Sequence, residues 1–194
     1  MWLKYLSKER GKFMFKKVNQ LVLSGIFIAL GIVFPMIFHL FGGAGPIFLP
    51  MHIPVLLGGF FLTPLYAMLV GAITPFLSSL LTGMPPAFPM MPIMMLELSV
   101  YGLGISVICK KISRNPWLAL VPTMILGRLA AGLMVFILTS FFTAKLPSPY
   151  VFMTGAVVRG IPGIIIQLIF IPIIVLAIEK SNVFYKGDEN RAIR

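Results

Sequence analysis

The sequence predicts an all-α integral membrane protein, a bundle of six transmembrane helices with both termini in the cytoplasm. Three observations predict it. Of 194 residues, 59% are hydrophobic and only 11% are charged, and the mean hydropathy is +1.01. So apolar a chain has too little polar surface to coat a water-soluble globule, which makes lipid its solvent. The apolar residues fall into six stretches divided by Gly-, Pro- or Lys-rich breaks. Finally, the cations sort by loop. Thirteen of the sixteen Lys and Arg lie before the first stretch, between the fourth and fifth, or after the last.

Taken in order, segment one runs from about Gln20 to Phe41 and ends at a Gly-rich loop, Gly42 to Pro46. It is too long for the apolar region of a signal peptide. Segment two, about Met51 to Leu62, is broken by Thr63-Pro64. At about 1.5 Å per residue it is too short to cross roughly 30 Å of hydrocarbon upright, so it is expected to tilt or to pack inside the bundle. Segment three, Leu65 to about Leu81, ends at the Pro-rich loop Gly83 to Pro89. Segment four runs from about Met91 to Cys109, and the basic turn Lys110 to Pro116 follows. Segment five spans Trp117 to Phe142, and segment six Tyr150 to Ile178. Pro35, Pro75, Pro122, Pro162 and Pro172 lie inside segments, where a missing N–H favours a kink.

The chain thus divides into a basic N-terminal segment, 1–18, a six-helix domain, 19–180, and a tail, 181–194. The first of these, with Trp2, Leu3, Tyr5, Leu6, Phe13 and Phe15 among its lysines, reads either as an interfacial helix on the anionic leaflet or as a tail carrying topogenic charge. Three basic clusters on one face require an even number of crossings, and six satisfies this. The loops at 42–50, 83–90 and 143–149 then face outward, with Lys145 the lone cation among them.

Net charge of +11 does not imply nucleic acid, because the cations flank apolar runs and form no continuous basic face. Cys109 is the sole thiol, so an intrachain disulfide is excluded.

Chemistry has to come from the few polar groups at membrane depth, where an ionisable side chain is costly and marks a site or a buried pair. These are His39, His52, Glu97, Arg128, Arg159 and the neutral Gln167. Most fall in the outer half of the bundle, where an extracellular solute enters. Tyr101, one turn from Glu97, adds a hydroxyl and a ring. Two Arg against one Glu leave one positive charge in excess. One Arg pairs with Glu97 and the other meets an anionic ligand, or both brace the bundle through Glu97 and backbone carbonyls. By depth, Arg159 stands closer to Glu97 than Arg128 does. His39 and His52 are either ligand contacts or interface residues. Two His without supporting carboxylates make a poor metal site, so neither a metal nor another cofactor is expected.

Small residues recur at four-residue spacing: Gly25 and Ala29 in segment one, and Gly155 and Gly163 on either side of Arg159 in segment six. Such spacing lets helices approach closely, within one bundle or between partners. Met84, Met90, Met91, Met94 and Met95 cluster, and flexible thioethers suit a surface that repacks around a ligand. Walker A, HExxH and GxSxG patterns are missing, so ATP hydrolysis by a P-loop has no basis here.

The whole segmented region, about Asn19 to Lys180, resembles the substrate-binding membrane subunit (S component) of energy-coupling factor (ECF) transporters. The resemblance rests on six helices in a chain of this length and on Gly25/Ala29 in segment one. It rests also on Phe48 to Gly59, on Thr82-Gly-Met-Pro-Pro86 and on Glu97 to Gly102. It implies a subunit of the prokaryotic cell membrane that captures a vitamin-like solute from outside without catalysing a reaction. The loop Gly42 to Pro50, with Gly42, Gly43, Pro46 and Pro50, would lid the pocket. Gly25 and Ala29 would dock on a transmembrane scaffold subunit, which two ATPases drive. Arg159, Glu97, His52, Tyr101, Arg128 and His39 are the candidate solute contacts, and the excess Arg favours an anion such as pantothenate. Two other classes stay open: a membrane enzyme built on Glu97 and His52, and a structural assembly subunit with no ligand.

Overall fold

A computed structural model describes residues 2–39, 45–113, 115–142 and 146–180. Seven helices occur among them: α1 (Trp2–His39), α2 (Gly45–Phe48), α3 (His52–Phe61), α4 (Pro64–Thr82), α5 (Met90–Lys111), α6 (Pro116–Phe141) and α7 (Pro149–Lys180). Five contain spans long and apolar enough to cross a membrane, and Gly45–Phe61 forms a shorter apolar piece. The all-helical membrane bundle is therefore the architecture, with segment two as its exception. It corresponds to α3 alone, while residues 45–48, expected as part of the outer loop, form the separate short helix α2. At ten residues α3 is about 15 Å long, half the hydrocarbon thickness. It packs inside the bundle, with His52, Pro54, Val55, Leu56, Gly58 and Gly59 buried.

The helix ends follow from local chemistry. Pro64 opens α4 and Pro116 opens α6, where a missing N–H costs nothing. Asn115 caps α6 by accepting from the Trp117 N–H at 3.0 Å. Gly83 closes α4 with φ 73°, a left-handed conformation that suits a residue without Cβ. The following loop is held by Ser78, whose hydroxyl donates to the Met84 carbonyl at 2.7 Å.

Where α3 turns into α4, the chain bares backbone groups, and side chains of two other helices satisfy them. Gln20 of α1 accepts from the Thr63 N–H at 2.7 Å and donates to the Phe61 carbonyl at 3.4 Å. From α5, Ser106 Oγ and Lys110 Nζ both donate to the Leu62 carbonyl, at 2.7 and 3.0 Å. Non-helical backbone in a bilayer needs such partners. These contacts place the start of segment one, the α3–α4 turn and the basic end of α5 at one end of the bundle, the inner end by the positive-inside rule. The C-terminal ends of α1, α4 and α6 then lie at the other.

Small residues set the closest approaches. A Cβ on Gly71 would strike the Leu98 carbonyl oxygen, and one on Gly102 the Ala67 carbonyl oxygen, so α4 and α5 meet backbone to backbone. Gly59 brings α3 to within 2.8 Å of Ile105 by the same measure. Without a hydrophobic force between helices in lipid, this close packing is what joins them. The core behind it includes Val55, Leu56, Leu98, Tyr101, Ile105, Leu120 and Ile171, all buried. A smaller cluster, Ile93, Ala131, Val135 and Leu138, joins α5 to α6 beside it.

Candidate functional site

α3 is too short to run the length of the bundle, and only the four-residue α2 stands before it, at the end where α3 begins. A cavity of about 540 Å³ occupies that end, within the size range of small-molecule sites. Its walls come from α1 (Pro35), the 45–52 segment, the 84–86 loop, α5, α6 (Arg128) and α7. Most of the wall is Pro, Met and aliphatic side chain, and the ionisable groups on it are His52, Glu97, Arg128 and Arg159.

These four fall into two sets. Glu97 is 3% exposed and receives Arg128 Nη1 at 2.9 Å and the Tyr101 hydroxyl at 2.9 Å, all three helical positions being fixed by α5–α6 packing. Height alone favoured Arg159 as its partner. The pairing with Arg128 follows from adjacency, since α5 and α6 are packed neighbours and a guanidinium spans the difference in depth. Arg128 also leans toward α7, its Nη2 lying 3.8 Å from where a Cβ on Gly160 would sit. Arg159 makes no ion pair or hydrogen bond among the described residues and is exposed on the cavity side of α7.

His52 opens α3 and is 4% exposed. Its Nε2 lies 3.7 Å from Glu97 Oε1, beyond hydrogen-bonding range, and neither ring nitrogen has a hydrogen-bond partner among the described residues. Tyr101 is not on the cavity wall. It stands behind Glu97, its ring 5.6 Å from that of His52 and filling the space left by Gly127. It acts on the cavity through Glu97.

Of the expected lid, Pro46 and Pro50 line the cavity, while Gly42 and Gly43 lie outside the described residues. So do the His39 side chain, Arg114, Lys145 and the tail 181–194. The described part of the loop is seated on α7. Gly163 faces the Phe48 carbonyl at 2.6 Å from its Cβ position, and buried Gln167 donates to the Leu49 carbonyl at 3.4 Å. Leu49 itself has φ 50°, an uncommon value for a non-glycine. Gln167 was visible in the sequence as a polar group at depth, but nothing there showed that it braces this loop.

Met84, Met90 and Met94 from the methionine cluster line the cavity, as do Ile93 and Phe152. Phe152 had no signal in the sequence. Gly25 and Ala29 are exposed on α1, and a Cβ on Gly25 would meet nothing within 4 Å. Their four-residue spacing is therefore not used inside the bundle. Among the described residues no three His, Cys, Asp or Glu side chains come together as a metal site.

The family described as "ECF transporter, substrate-specific component" matches residues 19–175. No curated protein and no solved structure matches the chain.

Proposed function

The chain belongs to the family of substrate-specific components of ECF transporters, and from that premise we propose that it captures a small anionic vitamin or precursor, pantothenate being one candidate, from the outer face of a prokaryotic plasma membrane. Family membership makes it a multi-pass transport subunit that associates with a scaffold and ATPase subunits. The solute is the proposed part. The observation that carries it is Arg159, a cation on the cavity wall with no carboxylate partner among the described residues. Glu97 is already matched by Arg128, so the cavity keeps one positive charge for a ligand. A guanidinium holds a carboxylate through two parallel hydrogen bonds.

Calorimetric titration of ligand-stripped protein against a panel of vitamins and precursors tests this. One tight anionic binder is expected. Arg159→Ala then weakens it by roughly 30-fold or more, the cost of removing one partner of a charge pair that the bound solute shields from water. Unchanged affinity in a folded variant overturns the role of Arg159.

The exposed face of α1 at Gly25 and Ala29 is proposed as the scaffold contact, and the open space around Gly25 supports it. Ala29→Leu is expected to reduce co-purification of the scaffold and ATPases several-fold while solute affinity stays the same, because small residues at such a crossing set how near the helices come. Normal assembly would move the contact elsewhere.

A further inference from the structure

We propose that His52 sets the specificity of the cavity. It hydrogen-bonds a neutral hydroxyl or amide of a solute whose single carboxylate lies at Arg159, with an aliphatic body between. This rests on the capture reading above and adds the chemistry of the other end of the ligand.

Charge balance limits the solute to one negative charge. Arg128 and Tyr101 both address Glu97, which leaves Arg159 as the unmatched cation of the wall among the described residues. A second anionic group placed near His52 would meet the Glu97 carboxylate 3.7 Å from the ring. A cationic group there would meet Arg128, whose guanidinium sits on the same carboxylate. Only a neutral group escapes both penalties.

His52 asks for a polar group and not a methyl. It is buried, it lines the cavity, and among the described residues neither ring nitrogen has a hydrogen-bond partner, Glu97 standing 3.7 Å from Nε2. Buried polar atoms are almost always hydrogen-bonded, and one left without a partner is costly. A neutral imidazole offers one donor and one acceptor, which matches a hydroxyl or an amide. Its ring is held from behind by Tyr101, so it is positioned before ligand arrives.

The body of the solute follows from the wall. Pro35, Pro50, Met51, Ile93 and Met94 are aliphatic or thioether surfaces, and among the described residues Phe152 is the one Phe, Tyr or Trp on the wall. A large planar ring system gains most from stacking between aromatic faces. This wall favours a flexible aliphatic chain, around which methionines repack.

Pantothenate, its alcohol analogue with CH₂OH in place of the carboxylate, and its phosphate ester at the hydroxyl end are the probes, titrated beside aromatic and cationic vitamins. The wild type is expected to bind pantothenate, to bind the alcohol roughly 30-fold or more weaker, and the phosphate roughly 100-fold or more weaker. His52→Ala is expected to weaken pantothenate by roughly 10- to 100-fold with the melting temperature retained, and His52→Gln, which keeps a donor and an acceptor, to recover most of it. Equal affinity in a folded His52→Ala protein overturns the proposal. Where that variant loses its fold, the wild-type series decides, and equal affinity for pantothenate and its phosphate is the overturning result. Preference for an aromatic or cationic vitamin sinks this chemistry but leaves solute capture standing. Silence of the whole panel from folded protein brings down capture as well.

Discussion

Arg128→Ala is expected to cost about 3–5 kcal/mol of stability, the usual penalty for leaving one member of a buried ion pair alone. Glu97 is 3% exposed, and Arg128 at 2.9 Å is its only full-charge hydrogen-bond donor among the described residues. Tyr101 supplies a neutral hydroxyl, which cannot offset a carboxylate by itself. The measurement is thermal or denaturant unfolding in detergent. Removing both charges together in Glu97→Gln/Arg128→Gln should restore most of the loss, because a buried pair gains little net stability over neutral groups that still bond to each other. A single variant as stable as the wild type, or a double variant worse than both singles, would show that the pair is not the strut proposed here. Solute affinity should fall in Arg128→Ala as well, since the wall beside His52 then carries an unmatched negative charge.

Gly102→Val, or Gly71→Val, is expected to prevent recovery of folded protein. In both cases the first added carbon lands on a carbonyl oxygen of the facing helix, Ala67 or Leu98. A side chain can rotate away from such a clash, but helical backbone cannot. The axes of α4 and α5 must then separate, and they lose the dispersion contacts that hold helices together in lipid. Overpacking costs of about 1–3 kcal/mol apply where neighbours can yield, and here they cannot. Yield of monodisperse protein on size-exclusion chromatography reads the effect. Gly25→Ala is the control. Its Cβ meets nothing within 4 Å, and exchanging Gly for Ala in a helix favours the helix by up to about 1 kcal/mol. Comparable loss in all three variants would indicate general sensitivity to glycine replacement and not a specific crossing.

What the sequence determined by itself is the part dictated by solvent. Hydrocarbon demands long apolar helices with their backbone bonds satisfied internally, so length and hydropathy alone mark the apolar spans within α1, α4, α5, α6 and α7. The same energetics make an ionisable group at depth rare, which is why Glu97, Arg128, Arg159 and His52 stood out as candidates before any fold was known. The family membership was legible too, since it lies in motifs along one chain.

What only the tertiary structure decided depends on which helices touch. The shortness of segment two was readable, but not that residues 45–48 of the loop before it would form α2, nor that a cavity lined by His52 would open there. The partner of Glu97 was undecided between two arginines, because depth along a helix says nothing about rotation around it or about which neighbour it meets. Packing of α5 on α6 chose Arg128 and left Arg159 without an ion pair among the described residues. Tyr101 looked like a wall residue from its spacing, yet the bare backbone at Gly127 draws its ring into the α5–α6 seam behind Glu97. Solvent writes a one-dimensional pattern that a sequence displays directly. Charge pairing and cavity shape are set by side-chain reach across helix interfaces, and those interfaces exist only once the bundle has packed.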